Sequence, residues 1–259
     1  MRIARIAVGD DPRYAVVQGE GEGENVTFAL IAGDPLYSGI EPTGQVLPFD
    51  AVRILAPVIP RSKVVGIGRN YAEHAAELGK AVPEEPMVFL KPNTAVVGPN
   101  DPIVLPSYSQ DVHYEGELAV VISRICKDVP VAKAMDVVFG YTVANDVTAR
   151  DKGATGPWAL KKAFDSSCPL GPYLVTDLDP GDLAIKTWVD DELVQDGRTS
   201  QMVYGVNELI SYVSSIFTLL PGDVILTGTP AGVGPIVAGQ RVDVEVEGIG
   251  RLSNPVLRR

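Results

Sequence analysis

The run DVHYEGELAVVI at residues 111–122 limits the possible folds more than any other segment of the chain. It alternates and then becomes apolar and β-branched, so it reads as a strand entering a core, with Glu115 and Glu117 two residues apart on one face. A second run, FGYTVAND at 139–146, reads as another such strand and ends on Asp146. Carboxylates aimed into the mouth of a β core repel one another and lose hydration unless a cation lies between them. Three oxygen donors, with no cysteine and no required histidine, favour a hard ion, Mg²⁺ or Mn²⁺, over zinc. The competing reading of these three residues is solvated acids at strand ends.

Around these runs the pattern is of many short strands and few helices. Strand-like stretches occur at 3–8, 14–18 and 26–31, and then at 64–67, 87–90, 103–105, 118–123, 139–144, 173–175, 185–189, 224–227 and 242–246. Helical spacing is confined mainly to 71–78, 131–137 and 207–219. The segment 41–48 is polar and contains proline, and reads as a connection. An α+β, mainly β fold follows, a sandwich or rolled sheet over residues 58–259 with a small N-terminal β appendage over 1–57.

The formal net charge of −11 excludes neutralisation of nucleic-acid phosphates and attraction to an anionic membrane as the main business of the surface. An anionic substrate must then be drawn by a local positive site, which a metal and a few Lys and Arg supply. The N-terminus lacks a long apolar stretch and a small-residue cleavage site, and 209–220 is too short and too interrupted by hydroxyls to span a bilayer. Cys126 and Cys168 lack CxxC spacing, so neither a disulfide scaffold nor a zinc site is expected. The expectation is a soluble, cytoplasmic protein.

Six motifs then occur in order: GRNYAEH at 68–74, FLKP at 89–92, YEGELAVVI at 114–122, NDVTARD at 145–151, KAFDSSCP at 162–169 and GDVILTGTP at 222–230. Together they resemble the fumarylacetoacetate hydrolase family from about residue 60 to the C-terminus. The resemblance implies a mixed β-sandwich roll, a homodimer, and a metal held by Glu115, Glu117 and Asp146. It also implies an active-site lysine at Lys162, selected over Lys161 by the Lys-x-Phe motif. Lys161 is then expected to face solvent, because adjacent side chains diverge.

Further candidates come from the residues that flank these motifs. Asn70 suits a helix cap and Glu73 a capping box, with Gly79 as the stop, Gly66 and Gly68 allowing a bend, and the short helix acting as a lid. His74 and Glu77, at i and i+3, share a face of that helix, where the carboxylate can orient the imidazole. In the family resemblance this pair looks like a dyad that activates water for C–C cleavage, while an exposed polar face is the plainer reading. His113 reads as a structural neighbour of the acids rather than a ligand. The turn after 224–227 lacks the Gly-Lys-Ser/Thr ending of a phosphate loop, but Gly228 and Thr229 suit a substrate carboxylate. Arg69 and Arg150 are further carboxylate partners, Arg150 being equally suited to pair with Asp151. The loop 152–157 departs from a longer family insert, which affects the expected substrate more than the metal or the lysine.

These readings converge on a Mg²⁺- or Mn²⁺-dependent enzyme that takes a small 2-oxo acid through an enolate. Acylpyruvate hydrolysis or oxaloacetate decarboxylation is expected ahead of isomerisation of a 2-hydroxyhepta-2,4-diene-1,7-dioate type. A non-catalytic metabolite-binding protein is the alternative of another class.

Overall fold

The strand Gly116–Ile122 is buried at every residue. Its even-numbered side chains, Leu118, Val120 and Ile122, enter the larger core, while Ala119 and Val121 enter a second core on the opposite face. A strand apolar on both faces must lie inside a layered structure, and this one does. The computed structural model describes residues 1–19, 21, 23–153 and 158–258. Among them, no helix is long and apolar enough to cross a membrane.

Two sheets form the sandwich. The larger has 12 strands and runs, edge to edge, Pro42–Pro48, Thr27–Ile31, Asp11–Gln18, Arg2–Val8, Cys168–Val175, Val138–Asn145, Gly116–Ile122, Val224–Leu226, Val64–Gly68 and Met87–Lys91, with Arg53–Leu55 and Val96–Val97 pairing to its side. The smaller has five: Glu192–Arg198, Ala184–Val189, Arg241–Val246, Gly250–Arg258 and Ile103–Leu105. Most pairs are antiparallel, but Val224–Leu226 runs parallel to Val64–Gly68, and Gly250–Arg258 runs parallel to Ile103–Leu105, so the architecture is mixed. Ile185, Val242, Val244, Val246, Leu252 and Val256 pack from the smaller sheet into the core shared with Leu118 and Val120. Each contributes on the order of 1.5–3 kcal/mol of apolar burial.

The structure changes four details of the sequence reading. The N-terminal strands are joined to the main sheet through Arg2↔Val175 and Ile3↔Leu174, although Ala4, Ile6, Ala15, Phe28 and Leu30 also pack in a small core of their own with Tyr173. The segment read as a polar connection is the exposed edge strand Pro42–Pro48, whose two prolines sit at its ends. Residues Val131–Val137 form a 3₁₀ helix rather than an α-helix. The run 111–122 is two strands: Val112–His113 pairs with Thr148–Ala149, and only Gly116–Ile122 joins the large sheet. The helix Val206–Ile216 follows its pattern, burying Val206, Leu209, Ile210 and Val213 at i, i+3, i+4 and i+7. Glu208 closes its first turn by accepting the Gly205 N–H at 2.8 Å.

Gly116 is the residue that orients the two acids beside it. It faces the five-stranded sheet, where a Cβ would overlap Thr187 Oγ1 and lie 2.9 Å from Val244 Cγ1. Alternation then sends Glu115 and Glu117 to the other face. Gly116→Ala is expected to destabilise the fold by about 1–3 kcal/mol through overpacking. Urea unfolding reads this directly, and a midpoint equal to that of the wild type would show that the two sheets part there at no cost.

Candidate active site

Two strand ends bring the acids together. Glu115 N–H donates to Asn145 Oδ1 at 3.0 Å, and Asp146 N–H donates to the Glu115 carbonyl at 2.8 Å. With Glu117 opposite Ala144, this register places one oxygen from each of Glu115, Glu117 and Asp146 within 4.8 Å of the others, all three residues being buried.

Three cations answer the three carboxylates. Lys162 Nζ donates to Glu115 Oε2 at 2.7 Å and also to Asp146 Oδ2, Lys91 Nζ donates to Asp146 Oδ1 at 2.6 Å, and Arg150 donates to Glu115 Oε1. Burial alone would raise the Glu115 carboxyl, but Lys162 and then Arg150 hold it well below the usual carboxylate range. Glu117 goes the other way: burial first, then repulsion from Asp146 and Glu115, pushes it well above that range. Its carboxylate accepts Gly228 N–H at 2.7 Å, while the three cations make their bonds to its neighbours. An all-oxygen, buried donor set with one carboxylate short of positive charge fits a hard divalent cation.

Above the acids lies a cavity of about 590 Å³, lined by Ile67, Gly68, Arg69, His74, Leu78, Lys80, Met87, Glu115, Glu117, Arg150, Gly153, Trp158, Lys161, Lys162 and Thr229. His74 is buried, and its Nδ1 lies 3.1 Å from Glu77 Oε2 on the helix Ala72–Glu77. Glu77 also accepts the Gly232 N–H at 3.1 Å, which ties the helix to the turn beyond Thr229. Gly79, at φ +64°, ends the helix as expected, and Lys80 N–H returns to the Ala75 carbonyl at 2.9 Å.

Several residues make bonds within the protein that their reading did not include, while Arg69, Arg150 and Thr229 also line the cavity. Asn70 is not the cap, which falls at Tyr71 without a side-chain bond, so no capping box forms with Glu73. Its amide instead donates to the Thr227 and Tyr204 carbonyls and its oxygen accepts Tyr204 N–H, a use that a buried carboxamide satisfies better than one exposed helix end. Gly66 makes no bend: the Phe89 ring lies where its Cβ would be. Gly228 N–H is committed to Glu117, and the Thr229 hydroxyl donates to the Gly116 carbonyl at 2.9 Å. Arg150 pairs with Glu115, whereas Asp151 binds Ser109 and Lys152. Arg69 reaches the Ala81 carbonyl and the Met87 sulfur. His113 pairs with Asp111 at 2.9 Å. Lys161, expected in solvent, lines the cavity, its ammonium 5.2 Å over the Trp158 ring. Burial, then the charges of Arg150 and Lys162, lower its pKa. Of the loop 152–157, residues 154–157 lie outside the described residues.

Sequence reasoning missed Lys91 and Gln195. Lys91 is buried on the strand Met87–Lys91, on the face of Phe89, whose ring lies 4.9 Å from Lys162 Nζ. A lysine at the end of an apolar strand, just before Pro92, was the available clue. Gln195 accepts Gly116 N–H at 3.0 Å and donates to Thr229 Oγ1 at 2.8 Å, a link across the sandwich that no local pattern announces.

Removal of one cation from this cluster leaves a buried carboxylate without its counter-charge. Lys91→Met is expected to cost the metal-free protein roughly 3–5 kcal/mol in urea unfolding, with much of it recovered in Lys91→Met/Asp146→Asn. A loss below about 1 kcal/mol would mean that water already screens the pair.

Residues 63–257 match the fumarylacetoacetate (FAA) hydrolase C-terminal family, and residues 1–57 match the Rv2993c-like N-terminal family. The crystal structure of a 5-carboxymethyl-2-hydroxymuconate delta-isomerase from Mycobacterium smegmatis superposes with a TM-score of 0.92 at 48% identity, over 100% of both chains. The mitochondrial oxaloacetate tautomerase FAHD2B of Bos taurus is 48% identical over 225 residues, 82% of this chain and 72% of its own. A fumarylpyruvate hydrolase from Pseudomonas aeruginosa, crystallised with Mn²⁺ and pyruvate, gives a TM-score of 0.73 at 37% identity, covering 80% of this chain and 92% of that one. With its motifs, its sandwich and its matched length in agreement, the chain belongs to the fumarylacetoacetate hydrolase family.

Proposed function

We propose that this protein is a Mg²⁺- or Mn²⁺-dependent enzyme that converts a small 2-oxo acid through an enolate. The observation that carries the reading is the buried triad of Glu115, Glu117 and Asp146, balanced by Lys91, Lys162 and Arg150 at the base of the cavity. Glu115, Glu117 and Asp146 would hold a divalent cation, and when bound it would supply Lewis acidity toward a 2-oxo acid. The Pseudomonas hydrolase, which binds Mn²⁺ and pyruvate, supports the same chemistry for this chain.

The chain's own residues supply the remaining steps. The Lys162 ammonium, fixed between Glu115 and Asp146, stays protonated, because although burial opposes its charge the two acids raise its pKa. It offers positive charge to an enolate oxygen without reorganising. His74, oriented by Glu77, is the group placed to take a proton from water or from carbon. Every described residue that lines the cavity lies at or beyond Ile67, so the chemistry belongs to the 58–259 part of the chain in the proposed division at 57.

Two outcomes of such an enolate have separate support. Hydrolytic C–C cleavage draws on the His74–Glu77 pair, which suits water activation. Keto–enol tautomerisation or isomerisation draws on the Mycobacterium and bovine relatives, whose names describe it. A homodimer and a reducing, cytoplasmic setting complete the reading, the latter consistent with two free cysteines. A non-catalytic metabolite sensor would bind oxalate with Mg²⁺ yet turn over none of these substrates.

Glu117→Gln is expected to weaken Mn²⁺ binding no less than about 10-fold in an electron paramagnetic resonance titration, and chelator to remove turnover. Undiminished Mn²⁺ affinity would move the metal elsewhere. His74→Ala is expected to lower acylpyruvate hydrolysis at least about 10²-fold, while oxaloacetate decarboxylation, which needs no attacking water, persists in part. Hydrolysis at the wild-type rate in that variant would put isomerisation first.

A further inference from the structure

Lys162 meets an aromatic ring as well as its two acids. Its Nζ lies 4.9 Å over the centre of the Phe89 ring, and that ring lies 5.4 Å from the ring of Trp158 at a tilt of 53°. Trp158 in turn carries Lys161 Nζ at 5.2 Å, so one aromatic pair serves both adjacent lysines. Two glycines make room for the pair. Phe89 stands directly across from Gly66 in the register of Val64–Gly68 with Met87–Lys91, and a Cβ on Gly66 would lie 2.1 Å from Phe89 Cζ. Gly68 is two residues further on, on the same face of the strand, where a Cβ would lie 3.2 Å from Trp158 Cη2. The opposite strand is equally economical: Phe89 and Lys91 share one of its faces, so a single short element sends a ring to Lys162 and an ammonium to Asp146.

We propose that Phe89, steadied by Trp158, is a positioning residue that holds the Lys162 ammonium for the enolate step through the charge of its ring face. The proposal rests on the enolate reading above and adds a residue that acts only through Lys162. The face of an aromatic ring is negative and attracts an ammonium, most strongly where water is excluded, and here Phe89 is 8% exposed and Lys162 4%. Among the described residues the hydrogen bonds of Lys162 go to Glu115 and Asp146, two of the three that an ammonium can donate. A carbonyl or hydroxyl in the place of the ring would fix the third N–H on one acceptor atom. The ring attracts the charge without such an atom, so the third N–H can turn to a substrate oxygen while the ammonium keeps its place.

The test uses the intact chain with Phe89 replaced in turn by 4-fluoro-, 3,5-difluoro- and 3,4,5-trifluorophenylalanine, which keep the ring's shape and drain its face of negative charge step by step. With Mg²⁺ and oxaloacetate or an acylpyruvate, kcat should fall along the series to about one tenth, while KM moves less than about 2-fold. A ring that only fills space would leave kcat level. The urea midpoint gives a second reading that needs no substrate: it should fall along the series relative to the same series in Lys162→Met/Asp146→Asn, which removes the lysine together with one of the acids it balances. A level kcat would overturn the positioning role, and midpoints that run parallel with and without Lys162 would overturn the contact itself. If the wild type turned over none of these acids, the functional reading would fail, and the midpoints would still decide whether the ring holds the lysine.

Discussion

The structure depends on a balance of charge inside a β core. Three carboxylates gathered within hydrogen-bonding reach of a common point would force the strand ends apart, since each bears a burial penalty and repels the other two. Lys91, Lys162 and Arg150 arrive from three separate segments and bond to Glu115 and Asp146, so that with all three acids ionised the formal charges balance. A divalent cation held there would make the cluster positive by two. The cavity above then has the sign that an anionic 2-oxo acid requires, within a protein whose overall charge is −11.

That balance explains which residues had to be rigid. Asn145 and Asp146 exchange bonds with the backbone of Glu115, Gly228 holds Glu117, and Gln195 reaches across from the smaller sheet to hold Gly116 and Thr229. The Thr229 hydroxyl and the Gly228 amide, expected from the sequence to meet a substrate carboxylate, also brace this scaffold, Thr229 while lining the cavity. The helix Ala72–Glu77 is less free than its six residues suggest, because Glu77 fastens one end to Gly232 and Asn70 fastens the chain just before the other. Lifting that end of the helix away would require breaking the Glu77–Gly232 bond.

Much of this was legible in the sequence, for reasons that differ by residue. Alternation places Glu115 and Glu117 on one face, and the amphipathic spacing of Val206, Leu209, Ile210 and Val213 gives the long helix. Both are local periodicities. Lys91 was not legible as a partner of Asp146, since the pair spans 55 residues and a lone lysine in a strand has no period. Asn70 was misread because capping chemistry and a buried carboxamide bridge call for the same residue, and only the position of Tyr204 and Thr227 decides between them. The strand Pro42–Pro48 escaped because its side chains are nearly all exposed, which leaves no apolar alternation to see.

The attachment of the N-terminal strands has one consequence for the behaviour of the chain in solution. The strand Cys168–Val175 is buried throughout, and its outer margin is shared by Val96–Val97 at one end and Arg2–Ile3 at the other. Without residues 1–57 the backbone donors and acceptors at Leu174 and Val175 would open to water, and Tyr173 would lose the apolar cluster that covers it. Such a margin is a template for another chain's strand. The N-terminal unit, which among the described residues lends no side chain to the cavity, thus covers the margin of Cys168–Val175 and moves the open edge of the sheet outward to Pro42–Pro48, where a proline stands at each end.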